Sequence, residues 1–163
     1  MQNSFVLTLL GKDRPGLVES VSKLINDNGG NWLESRMSRL GGQFAGIVHA
    51  TIPDSNLETW QKDLQTLEKD GLKILVADGN DKAVVPPSRK ADFEIIGQDQ
   101  PGIVRQITSE LARHAVNVSE MRSHCSSAPW SGEMMFNFRA EVEIPDTCDV
   151  DTLRDDLDKI ASD

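Results

Sequence analysis

Two short stretches of this chain combine residue types that can bind a small charged molecule. Gly11-Lys12-Asp13-Arg14-Pro15-Gly16-Leu17-Val18 follows one apolar run, and Gly97-Gln98-Asp99-Gln100-Pro101-Gly102-Ile103-Val104 follows another, 86 positions later (99 − 13). Each stretch predicts a turn from a strand into a helix, where the first main-chain amides of the helix lack partners and favour a carboxylate. Glycine has no side chain to block the approach. The repeated turn therefore predicts two places where a small anion can bind.

Polar side chains beside these turns suit a ligand that carries an ammonium group next to its carboxylate. Asp13 and Asp99 can hold the ammonium directly or through water, while Asn31 and Asn117 offer both a donor and an acceptor at matching places. A purely structural interpretation competes with this one. Pro-Gly at the start of a helix and Asn after its end are common for structural reasons alone. Duplication would copy a structural turn as well as a binding one.

The elements that position the first turn follow the order strand, helix, strand, strand, helix, strand. Nearly continuous apolar runs indicate central strands, and apolar residues at helical spacing indicate helices that lie on a sheet. This order is typical of a ferredoxin-like α+β fold (βαββαβ). The predicted elements are a strand over 5–10, a helix from 15 to the Asn28-Gly29-Gly30 stop, a hairpin of 31–40 and 44–52, a helix ending at Asp70-Gly71, and a strand over 72–77.

Local signals predict three details of the first half. Pro15 suits the first helical position, because its missing amide would have been unpaired there. Ser55 and Glu58 have the spacing of a capping box. Leu33 and Met37 are expected to share the covered face of their strand, which turns Glu34 and Arg36 to the open face.

The second half repeats this plan with differences. Its first helix ends at His114-Ala115-Val116, and its hairpin, 117–124 and 133–144, is lengthened by an insertion around 125–132. Trp130 lies in that insertion and is either a binding lid or a cap over the edge of a core. The final apolar stripe matches that of the first half at an offset of 93 (150 − 57), which places the counterpart of Gly71 beyond Asp163. The last strand of the second half is therefore expected to be missing from this sequence. Either the sequence was cut there, or the second sheet has an unpaired edge that a partner chain could cover.

The domain boundaries follow from the repeat and from a polar, turn-rich stretch between its copies. Gly79-Asn80-Asp81 and Pro86-Pro87 mark this stretch as a linker. We predict a first domain over 1–77, a linker over 78–91 and a second domain over 92–163.

Composition narrows the function classes. The net charge of −9 repels phosphate backbones and the basic residues are scattered, so direct nucleic-acid binding is disfavoured. No run has the roughly 20 apolar residues that cross a bilayer, and the first residues lack a secretory signal, so we expect a cytoplasmic protein with no membrane contact. Cys125 and Cys148 are expected to be free thiols.

The repeated motif resembles the ACT domain, a small-molecule regulatory module with a ferredoxin-like fold that commonly binds amino acids. The resemblance rests on Asp-x-Pro-Gly-[Leu/Ile]-Val after a strand, with Asn some fifteen positions further on. Two such modules without an enzyme are similar to the glycine cleavage system transcriptional repressor family. The resemblance implies effector-binding residues in both halves: Asp13, Arg14, Pro15, Gly16, Leu17 and Asn31, and Asp99, Gln100, Pro101, Gly102, Ile103 and Asn117.

That resemblance also implies an amino-acid effector, with glycine or serine expected first, and action through a protein partner. The partner is expected to be a DNA-binding activator, which agrees with the acidic charge. A detached regulatory subunit of a metabolic enzyme is the alternative that the sequence leaves open. No cofactor is implied, and a homodimer is compatible with either role.

Two other classes of function fit the residues poorly. An enzyme needs a nucleophile with a base, paired acids or a metal cluster, whereas His49, His114 and His124 are dispersed along the chain. RNA-recognition domains share the order of strands and helices, but they stack bases on aromatic residues of the open sheet face, and this chain has no tyrosine. We therefore predict neither catalytic nor metal-binding residues.

Overall fold

Buried and exposed residues alternate along the strands, because one face of each sheet is covered by helices and the other is open. The computed structural model describes residues 1–80 and 86–162. The chain divides into two units, Met1–Ala83 and Val84–Asp163, the first and second modules, each with its own hydrophobic core.

The first module has the predicted order of elements. Its sheet has the strand order β2-β3-β1-β4, and every neighbouring pair is antiparallel. A single 3-10 turn, Asp54–Asn56, precedes the second helix. The elements are β1 (Gln2–Lys12), α1 (Leu17–Asp27), β2 (Asn31–Leu40), β3 (Gln43–Pro53), α2 (Leu57–Lys69) and β4 (Lys73–Asp78).

The second module repeats this arrangement with three strands among the described residues. Its sheet order is β5-β7-β6, which confirms the prediction that the last strand is missing. The elements are β5 (Ser88–Gln98), α3 (Ile103–Arg113), β6 (Asn117–Ser127), β7 (Met134–Pro145) and α4 (Val150–Ser162).

Aromatic residues fill the centre of each core. Trp60 of α2 is 1% exposed, and its ring lies 6.3 Å from that of Phe5 on β1. In the second module Phe138 is fully buried, with Phe93 and Phe136 at ring distances of 5.7 and 6.3 Å. Trp130, by contrast, is 99% exposed, so it does not cap a core in either module.

A β-bulge interrupts the strand that follows the first helix of each module. The pairing of β2 with β3 skips Leu33, and that of β6 with β7 skips Ser119, which is the matching position. The prediction that Leu33 shares the covered face with Met37 is therefore wrong, because a bulge breaks simple alternation. Leu33 is 48% exposed, and Trp32 packs on the core in its place.

Two helix starts differ from their predictions. α1 begins at Leu17 rather than at Pro15, because Gly16 has a φ of 87° and cannot be part of a right-handed helix. The prediction of a capping box at the start of α2 is also wrong. Asn56 is the residue before the helix, and no side-chain cap hydrogen bond forms there.

The strands on both sides of the linker and in the long hairpin extend further than predicted, so the loops between them are shorter. β4 includes Asp78 and β5 begins at Ser88, so both ends of the predicted linker are strand. Residues 81–85 of that linker lie outside the described residues. β6 continues to Ser127, so the predicted insertion is reduced to the connection over 128–133.

The end of α3 contains a residue in an unfavourable conformation. Ala115 has a φ of 54°, whereas its counterpart in the first module is Gly29, with a φ of 65°. A left-handed conformation costs a residue with a Cβ roughly 1–2 kcal/mol. Because Ala115 is exposed, this cost is not offset by burial of its methyl group.

We expect Ala115→Gly to raise the free energy of unfolding of the second module by about 1 kcal/mol. Urea denaturation followed by circular dichroism measures this change. Ala112→Gly, in the helical part of α3, is the matched control and should lower the stability instead. If both substitutions destabilise equally, the conformation of Ala115 costs the protein nothing.

Candidate functional site

The two Pro-Gly bends are built alike and are open to solvent. Gly16 has a φ of 87° and Gly102 a φ of 89°, each immediately before a helix. A Cβ placed on either glycine would meet no atom within 4 Å. Pro15 and Pro101 are exposed beside them. Neither bend is filled by a side chain or covered by another segment of its own module.

Main-chain donors of the first helical turn face the space beside each bend. The first helical bond in α1 runs from the N–H of Ser20 to the carbonyl oxygen of Gly16, at 2.9 Å. In the described part of the chain, the N–H groups of Val18 and Glu19 have no acceptor. The second bend is similar, except that the N–H of Ile103 donates to the carbonyl oxygen of Gln100 at 3.3 Å. Together with the helix dipole, such donors favour a carboxylate.

The carboxylates beside the two bends have different partners. In the first module, Arg39 at the end of β2 donates to the Asp13 carboxylate at 3.4 Å. The matching residue of the second module is Cys125, a free thiol beside Asp99. Loss of surrounding water raises the pKa of Cys125, and the Asp99 carboxylate raises it further, so the thiol stays neutral and offers a weak donor.

This difference makes the two bends chemically unequal. Arg39 places a positive charge beside the Asp13 carboxylate, whereas Asp99 has no cation within ion-pair distance among the described residues. Arg14 of the first bend donates to the carbonyl oxygen of Asp70 at 3.4 Å, whereas the second bend has Gln100 at this position. Sequence reasoning missed Arg39 and Cys125, although the repeat offset relates them as it relates Asp13 and Asp99.

Within each module, the predicted site residues do not all come together. Asn31 and Asn117 are exposed and start the strand that follows the first helix, so each lies at the opposite end of that helix from the bend. The 11 residues of α1 span about 16 Å. A molecule as small as serine cannot contact the bend and the asparagine of the same module.

Leu17 and Ile103 are core residues. Their side chains are 4% and 3% exposed, so only their main-chain atoms are available to a ligand. A surface depression of about 560 Å³ runs along α3 from the second bend. Its lining residues are Gly102, Arg105, Gln106, Ser109, Glu110 and Ile160.

A second polar cluster, which the sequence did not predict, joins α3 and α4. The His114 ring nitrogen Nε2 lies 3.1 Å from an Asp156 carboxylate oxygen, and the same carboxylate pairs with Arg113 at 2.6 Å and with Lys159 at 3.1 Å. Asp156, His114 and Glu110 also offer three ligand atoms within 4.8 Å of one another, which is close enough for a metal ion.

The first module shows that this cluster is a helix–helix link. There the buried Asn28 joins the same two helices by donating to Asp63 at 2.9 Å. Asp63 and Asp156 are related by the offset of the final helices. Because Arg113 and Lys159 already neutralise Asp156, a cation would have to displace them. We interpret the cluster as structural.

Comparison with known proteins agrees with this architecture. Residues 3–76 and 92–160 each match a family described as the ACT domain. The chain is 26% identical over 129 residues to the glycine cleavage system transcriptional repressor of Escherichia coli K12, which covers 78% of this chain and 67% of that protein.

Solved structures show the same fold. A protein of unknown function from Galdieria sulphuraria has a TM-score of 0.85 and 28% identity, and it covers 98% of this chain and 92% of its own. A putative glycine cleavage system transcriptional repressor has a TM-score of 0.66 and 18% identity, with 98% and 91% covered.

These two ferredoxin-like modules, each with an open Pro-Gly bend, are ACT domains, and the chain belongs to the ACT domain family. It is an ACT-domain regulatory protein with two domains in tandem, related in sequence to the glycine cleavage system transcriptional repressor.

The α3–α4 link predicts how stability depends on pH. Hydrogen bonds from Lys159 and then His114 lower the pKa of Asp156 below its ordinary value of about 3.9. A lowered pKa in the folded state contributes stability that is complete above the ordinary pKa and is lost as the pH falls through the folded pKa. We therefore expect Asp156→Asn to make the second module less stable at pH 7. On acidification, this variant should lose less further stability than the unsubstituted protein.

Thermal unfolding between pH 7 and pH 3 measures this dependence. The exposed Asp155 lies outside the network, so Asp155→Asn is the control and should follow the unsubstituted protein. Identical pH profiles for Asp156→Asn and the unsubstituted protein would show that the link adds no stability.

Proposed function

We propose that this chain is a non-enzymatic sensor of small amino acids that regulates transcription through a protein partner, in the manner of a glycine cleavage repressor. The observation that carries the proposal is the pair of open bends at Gly16 and Gly102. Each bend presents main-chain donors beside a carboxylate, and this combination complements the two charges of an amino acid.

An amino acid would bind with its carboxylate at the N–H groups of the first helical turn and its ammonium toward the aspartate. Asp13 and Asp99 supply that charge in the two modules. Glycine and serine are the first ligands to test, because the related repressor carries glycine cleavage in its name. We expect the second bend to hold an ammonium more tightly, since Arg39 competes for Asp13 in the first.

The charge of the chain favours a protein partner over nucleic acid. A net charge of −9 opposes contact with phosphates. The open face of the first sheet carries aliphatic residues such as Leu10, Ile47 and Leu75, and aromatic rings for base stacking are absent from this face in the described residues. No described helix is both long and apolar enough to cross a membrane. A DNA-binding activator in the cytoplasm is the partner we propose.

A thermal-shift titration with glycine, serine and the other common amino acids tests sensing. At a hundredfold excess over its dissociation constant, a ligand stabilises the fold by roughly 2.7 kcal/mol, or about 5 to 10 °C in Tm. We expect Gly16→Asn and Gly102→Asn to reduce the shift, because asparagine tolerates a positive φ but places a side chain in the open space.

Gly71→Asn is the matched control for these variants. Gly71 also has a positive φ, 93°, and open space around it, but it follows a helix instead of preceding one. Its substitution should leave the ligand-induced shift unchanged. If no amino acid shifts the Tm of the unsubstituted protein, the sensor proposal fails.

Exchanging the residues that face the two aspartates tests whether the two bends bind an amino acid with different affinities. We expect Cys125→Arg to weaken amino-acid binding at the second bend, because a guanidinium would pair with Asp99 as Arg39 pairs with Asp13. Arg39→Cys should strengthen binding at the first bend for the same reason. Isothermal titration calorimetry measures both affinities, and unchanged values in both variants would exclude the aspartates from ammonium recognition.

Capture of partners from cell extract, with and without the amino acid, separates two regulatory roles. Recovery of a DNA-binding protein supports transcriptional regulation. Recovery of a metabolic enzyme instead would assign the chain to the regulatory subunits of such enzymes.

A further inference from the structure

A thiol, an imidazole ring and a carboxylate lie side by side where α3 meets α4. The Sγ atom of Cys148 lies 4.0 Å from the His114 ring nitrogen Nδ1. The other ring nitrogen, Nε2, lies 3.1 Å from an Asp156 carboxylate oxygen. The α3–α4 link therefore has a nucleophilic atom on the far side of its ring. A nucleophile, a base and a group that orients the base together form the arrangement that activates a thiol.

The Asp156 carboxylate decides which ring nitrogen of His114 carries the proton. Hydrogen bonds from Lys159 and then His114 lower the pKa of Asp156, so its carboxylate is ionised at neutral pH and only accepts hydrogen bonds. Neutral His114 therefore donates from Nε2, and the lone pair of Nδ1 faces the Cys148 thiol. Hydrogen bonds to a base are often long before a reaction and shorten during it, so a separation of 4.0 Å permits proton transfer.

The main chain holds Cys148 on both sides. Its N–H donates to the carbonyl oxygen of Pro145 at 2.9 Å, which closes the turn after β7. The next residue, Asp149, caps α4 by accepting from the N–H of Asp151 at 3.1 Å. Cys148 is half-buried against the core of the second module, and the side chain of His114 is 15% exposed. The pair is therefore fixed by packing and still accessible to a small reagent.

The first module has different residues at the same two positions. Ser55 corresponds to Cys148 at the offset of 93 that relates the final helices (148 − 55). Asn28 corresponds to His114 at the offset of 86 (114 − 28), and it links the two helices by donating to Asp63. The helix–helix link is thus made there without a base or a thiol. Linking the helices therefore does not account for Cys148 and His114.

The other cysteine has a contrasting environment. Cys125 is exposed beside the Asp99 carboxylate, and loss of surrounding water, followed by that carboxylate, raises its pKa. Among the described residues, its sulfur has no histidine within hydrogen-bond distance. Exposure alone favours reaction at Cys125, whereas a neighbouring base favours reaction at Cys148.

We propose that Cys148 is a site of reversible thiol–disulfide exchange with low-molecular-weight disulfides, and that His114 is its base. The thiol proton passes to Nδ1 as Sγ attacks one sulfur of the disulfide. A bond forms between these two sulfur atoms, the bond of the original disulfide breaks, and the departing thiolate takes the proton from His114. Cys148 is oxidised and the disulfide is reduced, so no other oxidant is needed. This site is independent of the amino-acid sites at the Pro-Gly bends.

Reaction of the full chain with 2,2′-dithiodipyridine, an uncharged disulfide, tests the proposal. Absorbance follows the release of thiopyridone, with Cys125→Ser reporting on Cys148 and Cys148→Ser reporting on Cys125. Each rate is divided by the rate of the same variant unfolded in urea. We expect Cys148 to react at least about tenfold faster than Cys125 at pH 7, although Cys125 is the exposed residue. An equal or faster rate for Cys125 would overturn the proposal.

His114→Asn, combined with Cys125→Ser, isolates the contribution of the base. Asparagine is the residue of the first module at this position, where it donates to the corresponding aspartate, so the helix–helix link is kept. We expect the rate of Cys148 to fall at least about tenfold at pH 7 and to recover at about pH 10, where thiols ionise without a base. An unchanged rate at pH 7, or a loss that persists at pH 10, would exclude His114 as the base.

The pH dependence of the two thiols is a second measurement, and it leaves His114 in place. A thiol without a base reacts as the free thiolate, so the rate of Cys125 should fall about tenfold from pH 8 to pH 7. The rate of Cys148 should fall less, because proton transfer to His114 replaces prior ionisation. Equal slopes for the two thiols would contradict the proposal. The charged groups around the ring are the same in both single-cysteine variants, and they are Glu110, Arg113, Asp149, Asp156 and Lys159.

Discussion

The left-handed bend before the first helix of each module is the constraint on which the architecture depends. Gly16 and Gly102 turn the chain from the first strand of each module directly onto the helix that covers its sheet. A residue with a Cβ would be strained at a φ near 90°. The same geometry stops the helix short of the proline and leaves its first amides exposed. One glycine therefore meets the requirement of the fold and leaves the open space on which the proposed binding depends.

The two modules preserve their backbones more closely than their side-chain chemistry. The link between the two helices is an asparagine–aspartate hydrogen bond in the first module and a histidine–aspartate pair, surrounded by Arg113 and Lys159, in the second. The partner of the aspartate at the bend also changes, from an arginine to a cysteine. The two modules therefore share one scaffold while the side chains at corresponding positions differ in charge and in hydrogen-bond partner.

The sequence predicted the order of elements and the missing strand because both depend on periodicity, which is a local property. Prediction from the sequence was wrong where a single residue alters the periodicity of an element or the register of a strand. Leu33 could not be placed from alternation because the bulge at that position is set by pairing with β3. The start of α1 was predicted two residues early. Pro15 suits the first position of a helix, and the sequence does not reveal the positive φ of Gly16 that delays the start. Site residues contributed by a distant strand, such as Arg39, depend on hairpin register, which a single sequence specifies weakly.

The bulges at Leu33 and Ser119 also decide which side chains reach the core. A bulge inserts one unpaired residue into a ladder, so the alternation of faces changes across it. Trp32 and Met37 are five positions apart and would lie on opposite faces of a regular strand, yet both pack on the core of the first module. The extra residue therefore allows one strand to supply large side chains to the core from both sides of the irregularity.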